Sequence, residues 1–212
     1  MFLDAMEFWN KESGIVIGDP IDGKFFVTRA FDAVETGKDI LKDHRPAADS
    51  GEACFAASGT NVRALARDEA CFVSGGLRSR FFWKGHPIDI PIVQGSESTG
   101  ANSVAVNDKK IIVVGGDFSH DSASTRNCFY TNDGGKKWIA PVTPPYGYKS
   151  CVEFITKNKL IACGTSGVDV SSDGGKNWQH ITKESFHVTR KAKDGNAVFL
   201  AGGNGKVGKL VW

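Results

Sequence analysis

Two eight-residue segments of this chain align without a gap: Thr131-Asn132-Asp133-Gly134-Gly135-Lys136-Lys137-Trp138 and Ser171-Ser172-Asp173-Gly174-Gly175-Lys176-Asn177-Trp178. They lie forty residues apart. A repeat of roughly 40–50 residues is one supersecondary unit, too small to bury its own apolar face, so successive copies must stack. Each segment also follows an apolar run ending in small residues, Ile111-Ile112-Val113-Val114-Gly115-Gly116 and Leu160-Ile161-Ala162-Cys163-Gly164-Thr165. The same style recurs at Gly14-Ile15-Val16-Ile17-Gly18-Asp19 and at Ala197-Val198-Phe199-Leu200-Ala201-Gly202-Gly203.

The shared pattern, Ser/Thr-x-Asp-x-Gly-x-x-Trp, has a structural chemistry. The Asp carboxylate can accept hydrogen bonds from turn amides. Glycine supplies positive φ at no steric cost. The Trp buries a large ring and keeps one donor for a carbonyl. Thr131, Asp133, Gly135 and Trp138, and Ser171, Asp173, Gly175 and Trp178, are therefore expected to lock a hairpin between the outer two strands of a unit.

Short apolar or alternating runs separated by Gly, Asp, Asn and Ser mark the whole chain, and 25 glycines are high for 212 residues. That pattern predicts strands rather than long helices, among them 3–9, 14–17, 54–58, 70–73, 80–83, 102–106, 111–114, 128–131, 149–154, 160–163 and 168–171. Five units follow, near 1–50, 51–99, 100–146, 147–183 and 184–212. Unit one carries a worn copy of the turn, Arg29-Ala30-Phe31-Asp32 followed by Gly37-Lys38, and unit two carries none. The expected fold is all-β, a β-propeller of four-stranded antiparallel blades. Five units would make either a closed small ring or an open arc of a larger propeller. An open arc exposes apolar blade faces and predicts homo-oligomers through the open edges.

The turns resemble the Asp boxes of BNR-repeat propellers, which include sialidases, sortilin-type receptors and the photosystem II stability/assembly factor family. The bacterial branch of that last family resembles this chain at Phe2-Leu3-Asp4-Ala5-Met6-Glu7-Phe8-Trp9, at Gly18-Asp19-Pro20-Ile21-Asp22-Gly23-Lys24-Phe25-Phe26 and at Gly51-Glu52-Ala53-Cys54-Phe55-Ala56-Ala57-Ser58-Gly59-Thr60. It does so again at Val114-Gly115-Gly116-Asp117 and at Gly205-Lys206-Val207-Gly208-Lys209-Leu210. The resemblance implies a periplasmic, surface or secreted protein. It also implies that leader and first blades precede the segment beginning at Phe2 in longer relatives, so this chain looks like a family protein lacking its first blades. The amino terminus itself holds Asp4 and Glu7 without a basic stretch and does not read as a signal peptide.

Other motifs point away from familiar chemistries. The net charge is only +2, and no basic stripe interleaves with aromatics, so no nucleic-acid groove is expected. No apolar run nears the ~18–20 residues that span a bilayer. Cys54, Cys71, Cys128, Cys151 and Cys163 lack Cys-x-x-Cys spacing and read as buried thiols. Gly203-Asn204-Gly205-Lys206-Val207-Gly208 fits a dinucleotide string, but only four residues follow it, so a glycine hairpin is expected. No cofactor is implied. Asp117, Ser119 and Asp121 have a loose cation-loop spacing without the glycine of a calcium loop, so no metal site is assigned.

A sialidase would need a Tyr nucleophile with a carboxylate partner. Tyr130 leads into an Asp box, while Tyr146 and Tyr148 sit in a Pro-Pro-Tyr-Gly-Tyr turn. The expected role is a non-catalytic binding or assembly scaffold for a protein or glycan, with a sialidase-like glycoside hydrolase as the alternative. A binding face is expected at one end of the central channel. Its candidates are Asp19, Asp22, Lys24, Glu52, Ser58, Thr60, Asn61, Asp117, Thr165, Asp169 and His187.

Overall fold

The computed structural model describes residues 2–31, 36–39, 44–66 and 68–211. Sheet one is β1 (Leu3–Phe8), β2 (Gly14–Ile21), β3 (Lys24–Phe31) and β4 (Thr36–Asp39), in that order. Asp32 of the worn turn lies outside the described residues. Sheet two is β6 (Val62–Ala64), β7 (Ala70–Val73), β9 (Arg80–Trp83) and β10 (His86–Asp89). The short strands β5 (Glu52–Ala53) and β8 (Gly75–Gly76) pair with each other and join sheet three.

Sheet three is otherwise β11 (Thr99–Asn107), β12 (Lys110–Asp117) and β13 (Cys128–Thr131), with Ile139 bridged to Tyr130 at its outer edge. Sheet four is β14 (Cys151–Phe154), β15 (Leu160–Gly164), β16 (Gly167–Ser171) and β17 (Gln179–Thr182). Sheet five has three strands, β18 (Val188–Lys191), β19 (Val198–Ala201) and β20 (Val207–Leu210). Every strand pair is antiparallel, and there is no α-helix among the described residues.

The unbroken apolar runs follow from burial on both faces of a sheet. Side chains alternate across a strand. In β12, Ile111 and Val113 pack toward sheet two with Phe81 and Val73, while Ile112 and Val114 pack toward sheet four with Val152, Leu160 and Trp178. In β15, Leu160 and Ala162 face sheet three, and Ile161 and Cys163 face sheet five with Val198 and Leu200. Ile17, Phe25, Val62, Phe72 and Phe82 fill the space between sheets one and two. All five cysteines are buried free thiols.

The first strands of the sheets, β1, β6, β11, β14 and β18, run side by side around an axis. Side chains stitch them together. Ala64 N donates to Glu7 Oε2 (2.9 Å), Val152 N to Ser103 Oγ (3.0 Å) and Thr189 N to Cys151 Sγ (3.4 Å). Gly115 and Gly164, the glycines that end the apolar runs, let this crowding happen. A Cβ on Gly115 would collide with Gly100 O, and one on Gly164 with Tyr148 O.

The arrangement is propeller-like, and it is not closed into a ring. Sheet one leaves Met6 and Phe8 exposed, and sheet five leaves Phe199 and Val207 exposed. Unpaired apolar sheet faces drive association. Light scattering on the purified chain is expected to give a mass above the 22.8 kDa monomer. Met6→Glu with Phe199→Glu is expected to return it to monomer, and a monomeric wild type would contradict the expectation.

The strand expected at 54–58 is not one. After Ala53 the chain turns, and Ala56 and Ala57 are exposed. The turn is held by polar side chains: Cys54 N reaches Asp19 Oδ1 (3.4 Å), and Ser58 and Thr60 share a hydroxyl hydrogen bond (2.6 Å). The inner strand of sheet two is instead β6, in which Arg63 interrupts the apolar pattern.

Candidate functional site

Both Asp turns close by the same hydrogen bonds. Asp133 Oδ1 accepts from Thr131 Oγ1 (2.7 Å), Lys136 N (3.0 Å) and Lys137 N (3.0 Å). Asp173 Oδ1 accepts from Ser171 Oγ (3.0 Å), Lys176 N (3.1 Å) and Asn177 N (3.0 Å). Gly135 N donates to Thr131 Oγ1 and Gly175 N to Ser171 Oγ. The hydrogen bond from Thr131, joined by that from Lys137 N, holds the Asp133 carboxyl below its ordinary range. The tryptophans differ. Trp178 is buried and donates Nε1 to Gly175 O (3.1 Å), but buried Trp138 Nε1 finds no acceptor among the described residues. The donor expected on Trp138 is therefore unmet, because its ring tilts onto Phe81 instead.

Of the candidates named from sequence, Asp19, Lys24, Glu52, Asp117 and Asp169 lie in strands and the rest in connecting segments, and most are engaged internally. Glu52 forms a buried ion pair with Arg80 and accepts its Nε at 2.9 Å. Ser58 donates to Ser150 O, and Thr60 joins Ser103 (2.6 Å) and Cys151 Sγ (3.6 Å) near the axis. Asn61 is fully buried, and neither side-chain amide atom has a hydrogen-bond partner among the described residues. Asp22, at φ 51°, turns the β2–β3 hairpin, and Lys24 opens β3 beside Ala47.

Asp117 accepts from Ser119 N (2.9 Å) and His120 Nδ1 (2.8 Å), so its oxygens are turned into their own loop. Asp121 contributes its backbone oxygen to Tyr148 N (2.7 Å). No three His, Cys, Asp or Glu side chains converge as metal ligands among the described residues. Thr165 and His187 are exposed.

Asp169 is 1 % exposed and pairs with Lys149, 0 % exposed, at 2.8 Å. Lys149 also donates to Ser166 Oγ and Gly167 O, and Asp169 Oδ1 accepts Tyr146 N. Burial pulls the Lys149 ammonium below its ordinary pKa against the pull of Asp169. Asp4, which the sequence did not single out, is buried, and its Oδ2 has no hydrogen-bond partner among the described residues. Burial, reinforced by Asp19, pushes its carboxyl up to about 7.

None of these residues lines the cavity that the inner strands form together. That cavity, of about 680 Å³, opens where the inner strands end, at the other end of the axis. Every inner strand contributes: Glu7 from β1, Arg63 from β6, Ala105 and Val106 from β11, Glu153 from β14 and Arg190 from β18. Arg63 organises its floor. Its Nε donates to Val104 O (2.6 Å) and Nη2 to Val152 O (3.1 Å) and Glu153 Oε2 (3.0 Å), with Nη1 3.6 Å from Glu7 Oε1.

Arg190 Nη1 approaches Glu153 Oε2 from the rim (3.4 Å). Burial raises the Glu153 carboxyl above its ordinary pKa, and Arg63 works against that rise. Leu65, Trp83 and Phe154 supply apolar wall. Sequence reasoning missed this mouth. Its signal was a charge at the centre of an otherwise apolar inner strand, in Asn61-Val62-Arg63-Ala64 and Cys151-Val152-Glu153-Phe154.

No protein-family model and no curated protein matches the chain. Solved structures do. The chain is similar to the C-terminal WD40 domain of Sif2 at 12 % identity, covering 99 % of this chain and 57 % of that one with a TM-score of 0.59. It is similar to the computationally designed Ika8 protein at 12 % identity, covering 98 % and 57 %, TM-score 0.54. A structure described as YCF48 bound to D1 peptide matches at 13 % identity, 98 % and 49 %, TM-score 0.42. The chain spans about half the length of these structures. With the five antiparallel sheets, the likeness defines the class: an all-β protein of propeller type. No helix among the described residues is long and apolar enough to cross a membrane.

Proposed function

We propose that the protein is a non-catalytic binding scaffold that holds a protein partner at the mouth formed by the ends of its inner strands. The carrying observation is that all five inner strands contribute to one open cavity with charged floor and apolar wall. Concave sites with apolar walls and a few fixed polar groups are where propellers and other folds bind. Arg63 is engaged by two backbone carbonyls and two carboxylates, so the floor is rigid before any partner arrives. Pre-organisation of that kind lowers the entropic cost of association.

The glycoside hydrolase reading asks for two carboxylates flanking a bond to be broken. Glu7 and Glu153 do share the mouth, but the Arg63 guanidinium stands between them, where the scissile bond would lie. The tyrosines offer no nucleophile there. Tyr148 is buried with its hydroxyl on Asn102 Oδ1, Tyr130 is buried in β13, and Tyr146 packs on His180. These features favour binding over hydrolysis.

The shared hydrogen bonds of the two Asp carboxylates and the two hydroxyls support reading the turns as Asp boxes of the BNR type. An extracytoplasmic address belongs to the same proposal and rests on the family resemblance. The test is a photo-crosslinking amino acid placed at Val106 in the mouth or at Thr165 at the opposite end. Val106 is expected to capture a defined protein from the native extract and Thr165 is not. Capture from Thr165 alone would overturn the placement, and capture from neither would overturn the binding role.

A further inference from the structure

We propose that the lysine-rich groove beside the mouth docks an acidic segment of the protein partner; the inference rests on the reading that the mouth end binds a protein. The groove is a product of the repeat. In sheet three, Gly134 N donates to Lys109 O (3.0 Å), which ties the Asp turn to the β11–β12 turn. In sheet four, Gly174 N donates to Asn158 O (2.8 Å), the same link one unit on. Lys110 Nζ reaches Asn158 Oδ1 (2.9 Å) and joins the two sheets.

Turns that recur at one end of successive sheets bring their charges onto one surface. Lys109, Lys110, Lys136, Lys137, Lys157 and Lys176 thus share it, all but half-buried Lys110 exposed. None of the six forms an ion pair among the described residues.

The acids here are fewer, and two of the three are tied to their own turns. Against six lysines stand Asp108, Asp133 and Asp173, and the latter two are aimed at their own turn amides. Among the described residues the surface therefore keeps a net positive charge. A groove of about 450 Å³ runs across it, lined by Asn107, Asp108, Lys109, Lys110, Asn132 and Lys157. Asp108 and Lys109 line the mouth as well, so groove and mouth are continuous. An extended segment can lay carboxylates along the lysines and put a neighbouring apolar side chain against Leu65 and Trp83. No aromatic side chain lines the groove, so it lacks the stacking platform that single-stranded nucleic acid uses.

The test is fluorescence anisotropy with four probes: a short Glu-rich peptide containing one Leu, its Lys-rich counterpart, a thymidine oligonucleotide, and vesicles carrying anionic lipid. The Glu-rich peptide is expected to bind, and to weaken as salt rises. Lys109→Glu with Lys157→Glu, both in the groove lining, is expected to cut its affinity at least about tenfold, with an unchanged thermal melt. Lys183→Glu with Lys209→Glu, away from the groove, is expected to bind as wild type does.

No binding of the Glu-rich peptide, or equal binding by the groove variant, would overturn the inference. Tighter binding of the oligonucleotide or vesicles would replace the acidic protein with that partner. Loss on Trp83→Ala without loss on the lysine variant would leave the mouth standing and remove the groove. The reverse pattern would keep the groove and remove the mouth.

Discussion

Asp169→Asn is expected to lower stability by about 3–5 kcal/mol, among the largest single effects in the protein. The substitution keeps size and one accepting oxygen but leaves the Lys149 ammonium buried without its ion-pair partner, with Ser166 Oγ and Gly167 O as its other acceptors. For a chain of this length such a loss lowers the thermal midpoint by about 10 °C. The deficit should shrink toward alkaline pH. Burial already holds Lys149 below its ordinary pKa in the wild type, and removing Asp169 removes the pull that opposes this, so the variant's folded pKa falls further and its stability rises with pH more steeply than the wild type's. A second change, Lys149→Met, should recover much of the loss, since an apolar replacement of a buried pair is often neutral. Thermal melts between pH 7 and pH 10 measure this. A deficit that does not vary with pH would mean that the pair is not closed as described.

Trp178→Ala is expected to cost about 3–5 kcal/mol, because a ring 5 % exposed is removed from among Ile112, Val114, Val152 and Leu160. Trp138→Ala should cost less, since its ring is only partly buried. Phenylalanine separates the two positions. Trp178→Phe loses the hydrogen bond to Gly175 O and is expected to destabilise by about 1 kcal/mol. Trp138→Phe removes a donor that has no acceptor and is expected to be neutral or stabilising. Urea unfolding of the four variants decides it. Equal costs for the two Phe variants would contradict the assigned surroundings.

The fold was legible wherever burial and period agreed. Strands at 70–73, 80–83 and 128–131 were readable to the residue, because each is apolar and bounded by turn residues. Outer and linking strands were not. His86–Asp89 and Gln179–Thr182 are polar edge strands whose pairing comes from the neighbouring strand rather than from their own composition. Val62–Ala64 was hidden because Arg63 belongs to the mouth rather than to the core.

The Asp turns were readable because their chemistry is local, within eight residues. The mouth was not, because it draws one or two residues from each of five strands up to 183 positions apart, from Glu7 to Arg190. Nothing in a single strand marks those residues as neighbours. Asn61 and Asp4 show the same limit: each is a polar residue on an ordinary-looking segment, yet each is buried with side-chain atoms that find no partner among the described residues.

A crystal structure of this chain tests the arrangement most directly. It should place β1, β6, β11, β14 and β18 as consecutive neighbours about one axis, with Trp138 and Trp178 each seated against the sheet before its own. Sheets stacked face to face as a sandwich, with those five strands dispersed and Arg63 remote from Glu153, would contradict it.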